Sequence, residues 1–185
     1  MAQNIKRITT PLTEQAVKDL RAGDSVFITG EIYTGRDAAH NRFAKLIELG
    51  NELPVDFAGQ IIYYVGPTPA RPGQACGAAG PTTSCRMDIN TPPLLERGLK
   101  GMIGKGLRSQ AVIDSMKKNK AVYFAATGGA AALIAGSIKK VEVIAYGDLG
   151  AEALHKMTVE DFPAIVVVDS QGNNLYRTGP EQFRR

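Results

Sequence analysis

Residues 164–169 read Ala164-Ile165-Val166-Val167-Val168-Asp169. Five apolar residues stand in a row, four of them β-branched, with no polar residue alternating among them. A strand with one wet face alternates; an unbroken run predicts a strand covered on both faces, as in the sheets of α/β proteins. Upstream, β-rich runs recur at residues 25–29 (SVFIT), 61–65 (IIYYV), 121–126 (AVYFAA) and 141–146 (VEVIAY). GEIYTG at 30–35 and GMIGKG at 101–106 add shorter extended pieces. Helical patterns fall between them. Residues 13–23 have Thr13 as N-cap and Glu14 in the first turn, and residues 37–50 have Asp37 as cap with Ala39, Phe43, Leu46 and Ile47 at helical spacing. Residues 91–98 open on Thr91 as cap with Pro92 at the first position, and residues 109–119 open on Ser109 and close on Lys117 and Lys118. A small-residue helix is expected over 128–138, a short one over 151–157, a turn at Gln171-Gly172, and a frayed tail over 182–185. Strands alternating with helices predict an α/β domain, a single one over residues 1–185, with a parallel or mixed sheet flanked by helices.

The composition narrows the classes. Of 185 residues 44% are hydrophobic and 22% charged, enough for one core and too ordinary for a disordered tail, a coiled coil or a collagen-like repeat. A net charge of +4 permits anionic partners without demanding nucleic acid; the charges form no strip and aromatics are only 6%. The two cysteines, Cys76 and Cys85, are too few to staple a secreted scaffold or to hold an iron–sulfur cluster or structural zinc alone. The start of the sequence has no apolar run of signal-peptide length. Residues 121–138 carry no charge, but their Ala- and Gly-rich centre reads as a buried strand turning into a buried helix rather than a membrane span. A cytoplasmic protein is expected.

Four places could carry chemistry. Gly35-Arg36-Asp37-Ala38-Ala39-His40 lies at a strand-to-helix junction, where helix amides and a guanidinium suit an anion; the plainer reading is a capping Asp37, a solvated Arg36 and a packed His40. Gly80-Pro81-Thr82-Thr83-Ser84-Cys85-Arg86 ends a long Pro/Gly/Thr-rich loop, residues 66–86, with three hydroxyls and an arginine; the plainer reading is a polar turn. Residues 101–109, GMIGKGLRS, fail the phosphate-loop pattern, since Leu99 stands where Gly belongs and Gly106 where Ser or Thr belongs, which leaves Lys105 fixed between glycines. Thr127-Gly128-Gly129 lacks dinucleotide spacing, and close helix–sheet packing is its expected role. Arg36, Arg86 and Lys105, with hydroxyls between them, suit a small dianion such as a dicarboxylate. Without a strong electrophile they amount to half of an active site.

The motifs GEIYTGRDAAH, GPTTSCRMD, IGKGLRS, YFAATGGAAAL and VEDFPAIVVVDSQGN occur in that order. Together they resemble the β subunit of the iron–sulfur-dependent class I fumarase and L-tartrate dehydratase family, the equivalent of the C-terminal domain in single-chain members. The resemblance runs from about Leu12 to Tyr176. It implies a swivelling β/β/α domain, a partner α subunit that carries a 4Fe-4S cluster, an α2β2 assembly, and a hydro-lyase that reversibly hydrates fumarate to L-malate or treats a related acid. It also implies roles: Thr82 as the catalytic hydroxyl, Arg36, Arg86 and Lys105 as substrate ligands, and Asp37, His40 and Thr83 as orienting groups, with no metal or cofactor on this chain itself. Many fumarases read GPTTAGRMD where this chain has Ser84-Cys85 before Arg86, which leaves fumarate, malate, tartrate and mesaconate open as substrates. A non-catalytic anion-binding or regulatory module is the alternative; neither nucleic acid nor a membrane is expected as partner.

Overall fold

The computed structural model describes residues 5–126 and 131–181. Seven strands form one mixed sheet: β1 (Lys6–Thr9), β2 (Ser25–Thr34), β3 (Ile61–Tyr63), β4 (Gly101–Gly104), β5 (Val122–Ala125), β6 (Ile138–Ala145) and β7 (Leu154–Val168). Among the described residues six α-helices accompany them: α1 (Glu14–Asp19), α2 (Asp37–Glu48), α3 (Thr91–Glu96), α4 (Gln110–Asn119) and α5 (Ala131–Gly136) between strands, and α6 (Leu175–Glu181) after the last. Strands β1 to β5 pair in parallel in chain order. Strand β7 runs antiparallel to β2, β5 and β6. Because β7 bonds to both β2 and β5, the ladder β2–β3–β4–β5–β7 closes on itself, with β1 and β6 attached outside the ring.

Side-chain alternation along the parallel strands builds two cores. Ile61, Tyr63 and Val65 point into one with Ile103, Val122 and Phe124, against Phe162 and Val166 of β7. Ile62, Tyr64, Met102 and Tyr123 point into the other, beneath Phe43 of α2, Leu94 and Leu95 of α3, and Val112 and Met116 of α4. The result is a three-layer molecule: helices, a parallel sheet buried on both faces, and an antiparallel layer.

The run 164–169 has a mixed fate. From Met157 to Ile165 strand β7 mostly alternates buried and open positions, and Ile165 is 40% exposed. Only Val166, Val167 and Val168 are covered on both faces, where the strand reaches the helix side of the molecule. The helix expected over 151–157 is not formed. A 3-10 segment, Gly147–Glu152, gives way at Leu154 to β7, whose Leu154 and Met157 are buried strand positions. Asp37 does not cap its helix: Arg36 holds the N-cap position, and the Asp37 carboxylate is engaged by Arg86 instead. Thr91 is the first residue of α3 rather than its cap, because a 3-10 segment, Ser84–Asn90, runs directly into the helix. Thr13 and Ser109 do cap α1 and α4, accepting from the Ala16 and Val112 amides. Strand β1 and helix α6 are additional to the sequence expectation. The expected turn at 127–129 and the tail at 182–185 lie outside the described residues. No helix among the described residues is long and apolar enough to cross a membrane.

Phe124 is fully buried in the core that β7 closes. Replacing it with Ala removes a large side chain from a site that cannot collapse freely, at a cost of about 3–5 kcal/mol. The expected result in urea denaturation is a lower midpoint at an unchanged slope.

Candidate active site

Strands β2, β3 and β4 are adjacent and parallel, so their C-terminal ends open at one edge of the sheet. In α/β proteins, with open or closed sheets, the C-terminal edge of the parallel strands is where ligands bind. Arg36 and Asp37 follow β2 directly, Thr82 lies in the loop after β3, and Lys105 is the residue after β4. The long loop is brought back beside its own strand. Val65 bridges Pro81, and the Thr82 amide donates to the Tyr64 carbonyl at 2.7 Å. The Lys105 amide then donates to the Thr82 carbonyl at 3.3 Å, and the Ser84 amide to the Lys105 carbonyl at 2.9 Å. Thr82 and Thr83 thereby become neighbours of Lys105, more than twenty residues on in sequence; Thr83 and Lys105 are exposed and Thr82 half-buried.

Two glycines make this approach possible. A Cβ on Gly104 would lie 2.0 Å from Ser84 Oγ and 2.9 Å from the Tyr64 ring. Gly106 turns the chain after Lys105 at φ +81°. Beneath the turn, Ser84 Oγ and the Tyr123 hydroxyl are 2.9 Å apart, and Tyr123 donates to the Gly106 carbonyl.

The arginines come in from the helix side. Arg86 Nε donates to Asp37 Oδ1 at 2.9 Å, and its Nη2 lies 2.8 Å from Oδ2 as an ion-pair contact without hydrogen-bond alignment; together they set Arg86 next to the start of α2. The Arg36 side chain lies over Gly66, where a Cβ would meet Nη1 at 3.1 Å. It faces Glu152 at 3.4 Å. Arg36, Thr82, Arg86 and Lys105 thus lie at one end of the sheet, linked through Gly66, Pro81 and Asp37. Three cations against the carboxylates of Asp37 and Glu152 leave one net positive charge. A cavity of about 590 Å³ opens elsewhere, between the 68–78 loop and α5, and touches none of these residues.

His40 is fully buried. Its Nδ1 is 3.0 Å from the Arg36 carbonyl, which can only accept, so Nδ1 carries a proton, while the buried Nε2 has no partner among the described residues. Burial pushes its pKa down to about 4, the bond to the carbonyl opposing that shift. Packed edge-on against Phe43 and Tyr64, it fixes the backbone of Arg36.

Sequence reasoning missed two residues. One is Arg108, whose side chain is 0% exposed. Its Nε donates to Asp88 at 2.7 Å, one Nη to Thr91 Oγ1 at 2.8 Å and the other to the Tyr64 hydroxyl at 3.2 Å. The guanidinium also lies 5.2 Å from the ring centres of Tyr64 and Tyr123. A cation just ahead of a helix start opposes the helix dipole, and that was the available hint that Arg108 is engaged elsewhere. The other is Glu152, far from Arg36 in sequence, for which the sequence holds no signal.

The two cysteines do not make a metal site. Cys76 is buried and burial raises its thiol pKa, whereas Cys85 is exposed on the 3-10 segment. No group of three or more His, Cys, Asp or Glu among the described residues is placed to hold an ion. A cluster that needs several thiolates does not fit this donor set.

Residues 2–179 match the family model described as Fumarase C-terminus. The anaerobic class I fumarate hydratase of Escherichia coli (strain K12) is 43% identical over 152 residues, 81% of this chain and 28% of that protein. The aerobic class I enzyme of Salmonella typhimurium is 38% identical over 174 residues, 92% of this chain and 30% of that protein. The provisionally named L(+)-tartrate dehydratase subunit beta of Methanocaldococcus jannaschii is 37% identical over 171 residues, covering 89% of this chain and 88% of the relative. The chain therefore spans less than a third of those two fumarate hydratases and nearly all of the subunit-sized relative.

Two outcomes follow from the buried polar groups. Arg108→Met strands the Asp88 carboxylate and is expected to cost about 3–5 kcal/mol in chemical denaturation. Adding Asp88→Asn should recover part of that loss. For His40, a folded pKa below its ordinary 6.5 means that the unfolded chain binds the extra proton. Its contribution is complete above pH 6.5, is lost as pH falls toward 4, and totals about 3 kcal/mol. His155, also lowered by burial, acts in the same direction. Stability measured between pH 7 and 4 should fall less steeply in His40→Gln, with the His155 part remaining.

Proposed function

The chain belongs to the Fumarase C-terminus family, and from that membership we propose that it is the β-type half of a hydro-lyase acting on a four-carbon dicarboxylate, fumarate to L-malate first among the candidates. The observation that carries the reading is the meeting of Thr82 and Lys105 at the ends of β3 and β4, beside Arg36 at the end of β2. Arg36, Arg86 and Lys105 bind the two carboxylates, the arginines by their forks and the lysine as a point charge. Asp37 orients Arg86 and His40 orients Arg36. Thr83 holds the Thr82 backbone in register through its bridge to Lys105. Thr82 exchanges a proton at the carbon next to the one that carries the hydroxyl. A threonine hydroxyl is a poor base; Lys105 is held beside Thr82 through the backbone, and its ammonium turned toward that hydroxyl would favour the alkoxide.

Loss of the hydroxyl needs an electrophile that this chain's two cysteines do not supply. The proposal assigns it to an α partner that carries a 4Fe-4S cluster, in an assembly of two α and two β chains in the cytoplasm. The relative lengths support a partner: the fumarate hydratases carry more than twice as much additional chain, and a subunit-sized relative is named beta. Exposed apolar side chains at the rim support it too. Ile89 is 85% exposed and Leu107 59%, flanking the contact of Asp88 with Arg108 and Ser109.

The test is anaerobic reconstitution with the α chain and a panel of fumarate, malate, tartrate and mesaconate. Thr82→Ala is expected to lower kcat by about 10²–10⁴-fold, the range of a general base, with the cluster spectrum intact. Lys105→Met is expected to raise KM for the dianion and to lower kcat as well. Wild-type turnover in Thr82→Ala removes Thr82 from the reaction. Dicarboxylate binding without turnover in the assembled wild type makes the chain the anion-binding module instead.

A further inference from the structure

Arg36 is loosely held for a half-buried cation. Its Nε is buried and has no hydrogen-bond acceptor among the described residues. Its Nη2 meets Glu152 Oε1 at 3.4 Å, and the other oxygen of that carboxylate is 3.4 Å from the Ala38 amide at the start of α2. Glu152 therefore occupies the two kinds of donor an incoming carboxylate would use at this strand end, a guanidinium and a helix-start amide. It occupies them loosely. Charge-assisted bonds of this type usually close to about 2.7–2.9 Å, as Arg86 and Asp37 do one residue along.

The carboxylate arrives on the connection between β6 and β7, Gly147–Glu152. That connection is entered through Tyr146 at φ 60° and broken by Gly150 at φ 57°, ψ −120°. It is pinned at its start by Asp148 to Arg42 and at its end by Thr34 Oγ1, which donates to the Ala153 carbonyl. Between those pins Glu152 is 30% exposed, and its side chain has room to leave toward water.

We propose that Glu152 is an internal competitor for Arg36: one carboxylate of the substrate replaces it, and Glu152 thereby sets the affinity of the site for its acid. This rests on the dicarboxylate reading of the same site. A Glu152 that instead steered Arg36 toward the substrate would give an effect of the opposite sign.

The experiment compares wild type, Glu152→Gln and Glu152→Ala, reconstituted with the α chain, and in parallel titrates the full chain with succinate, an unreactive dicarboxylate, by calorimetry. Removing the competing charge is expected to lower KM, and the succinate Kd by the same ratio, about two- to fivefold, the equivalent of an ion pair this exposed. The gain should vanish in an Arg36→Met background. Unchanged or raised values in both variants overturn the proposal. If the wild-type assembly turns over no dicarboxylate, the hydro-lyase reading fails while the succinate ratio still decides the role of Glu152; if the chain without its α partner binds no succinate, the KM ratio alone decides that role, and an assembly without turnover together with a chain that binds no succinate overturns both.

Discussion

The guanidinium of Arg108 is removed from water, and every piece of chain that could satisfy it had to be brought to it. An isolated charge in that position would cost several kcal/mol. Asp88, Thr91 and Tyr64 supply the acceptors, and two aromatic faces line its sides. Each partner has a second duty. Tyr64 accepts the Thr82 amide through its carbonyl, and Asp88 sits two residues after Arg86 and also accepts from the Ser109 amide. Arg108 itself lies three residues after Lys105. Thr82, Arg86 and Lys105 are thus tied to one buried charge, and none can drift without leaving part of it unsatisfied.

Closure of the ring by β7 complements this from the other side. Parallel strands give a common edge for loops, but the edge is only as rigid as the strands behind it. Here Tyr63 and Phe162 pack edge to face across the inner core at 5.2 Å, so the antiparallel layer braces the strand from which the Thr82 loop departs. The polar residues can then sit on short turns and still hold fixed spacing.

Much of this was legible in the primary structure. Strand–helix alternation, the two-sided run near the end and the capping hydroxyls of Thr13 and Ser109 are local signals, set by side chains a few residues apart. The ordered motifs pointed to Arg36, Thr82, Arg86 and Lys105 through their resemblance to a family. What could not be read was set by long-range contacts. Asp37 looked like a cap because nothing local announces that Arg86, forty-nine residues on, will claim its carboxylate. Residues 151–157 have helical spacing, yet Leu154 and Met157 gain more by burial in a strand beside β2. Glu152 and Arg108 matter only through partners brought near by the fold.

Closing the ring also decides which backbone remains available for pairing. The outer rail of β6 is one such place, and its sequence carries Lys139, Lys140 and Glu142 among Val141 and Val143. Lys140 pairs with Glu142, and Lys139 with Glu160 of the neighbouring strand, so this rail is dressed in hydrated charge. Such dressing resists the edge-to-edge stacking that leads to fibres.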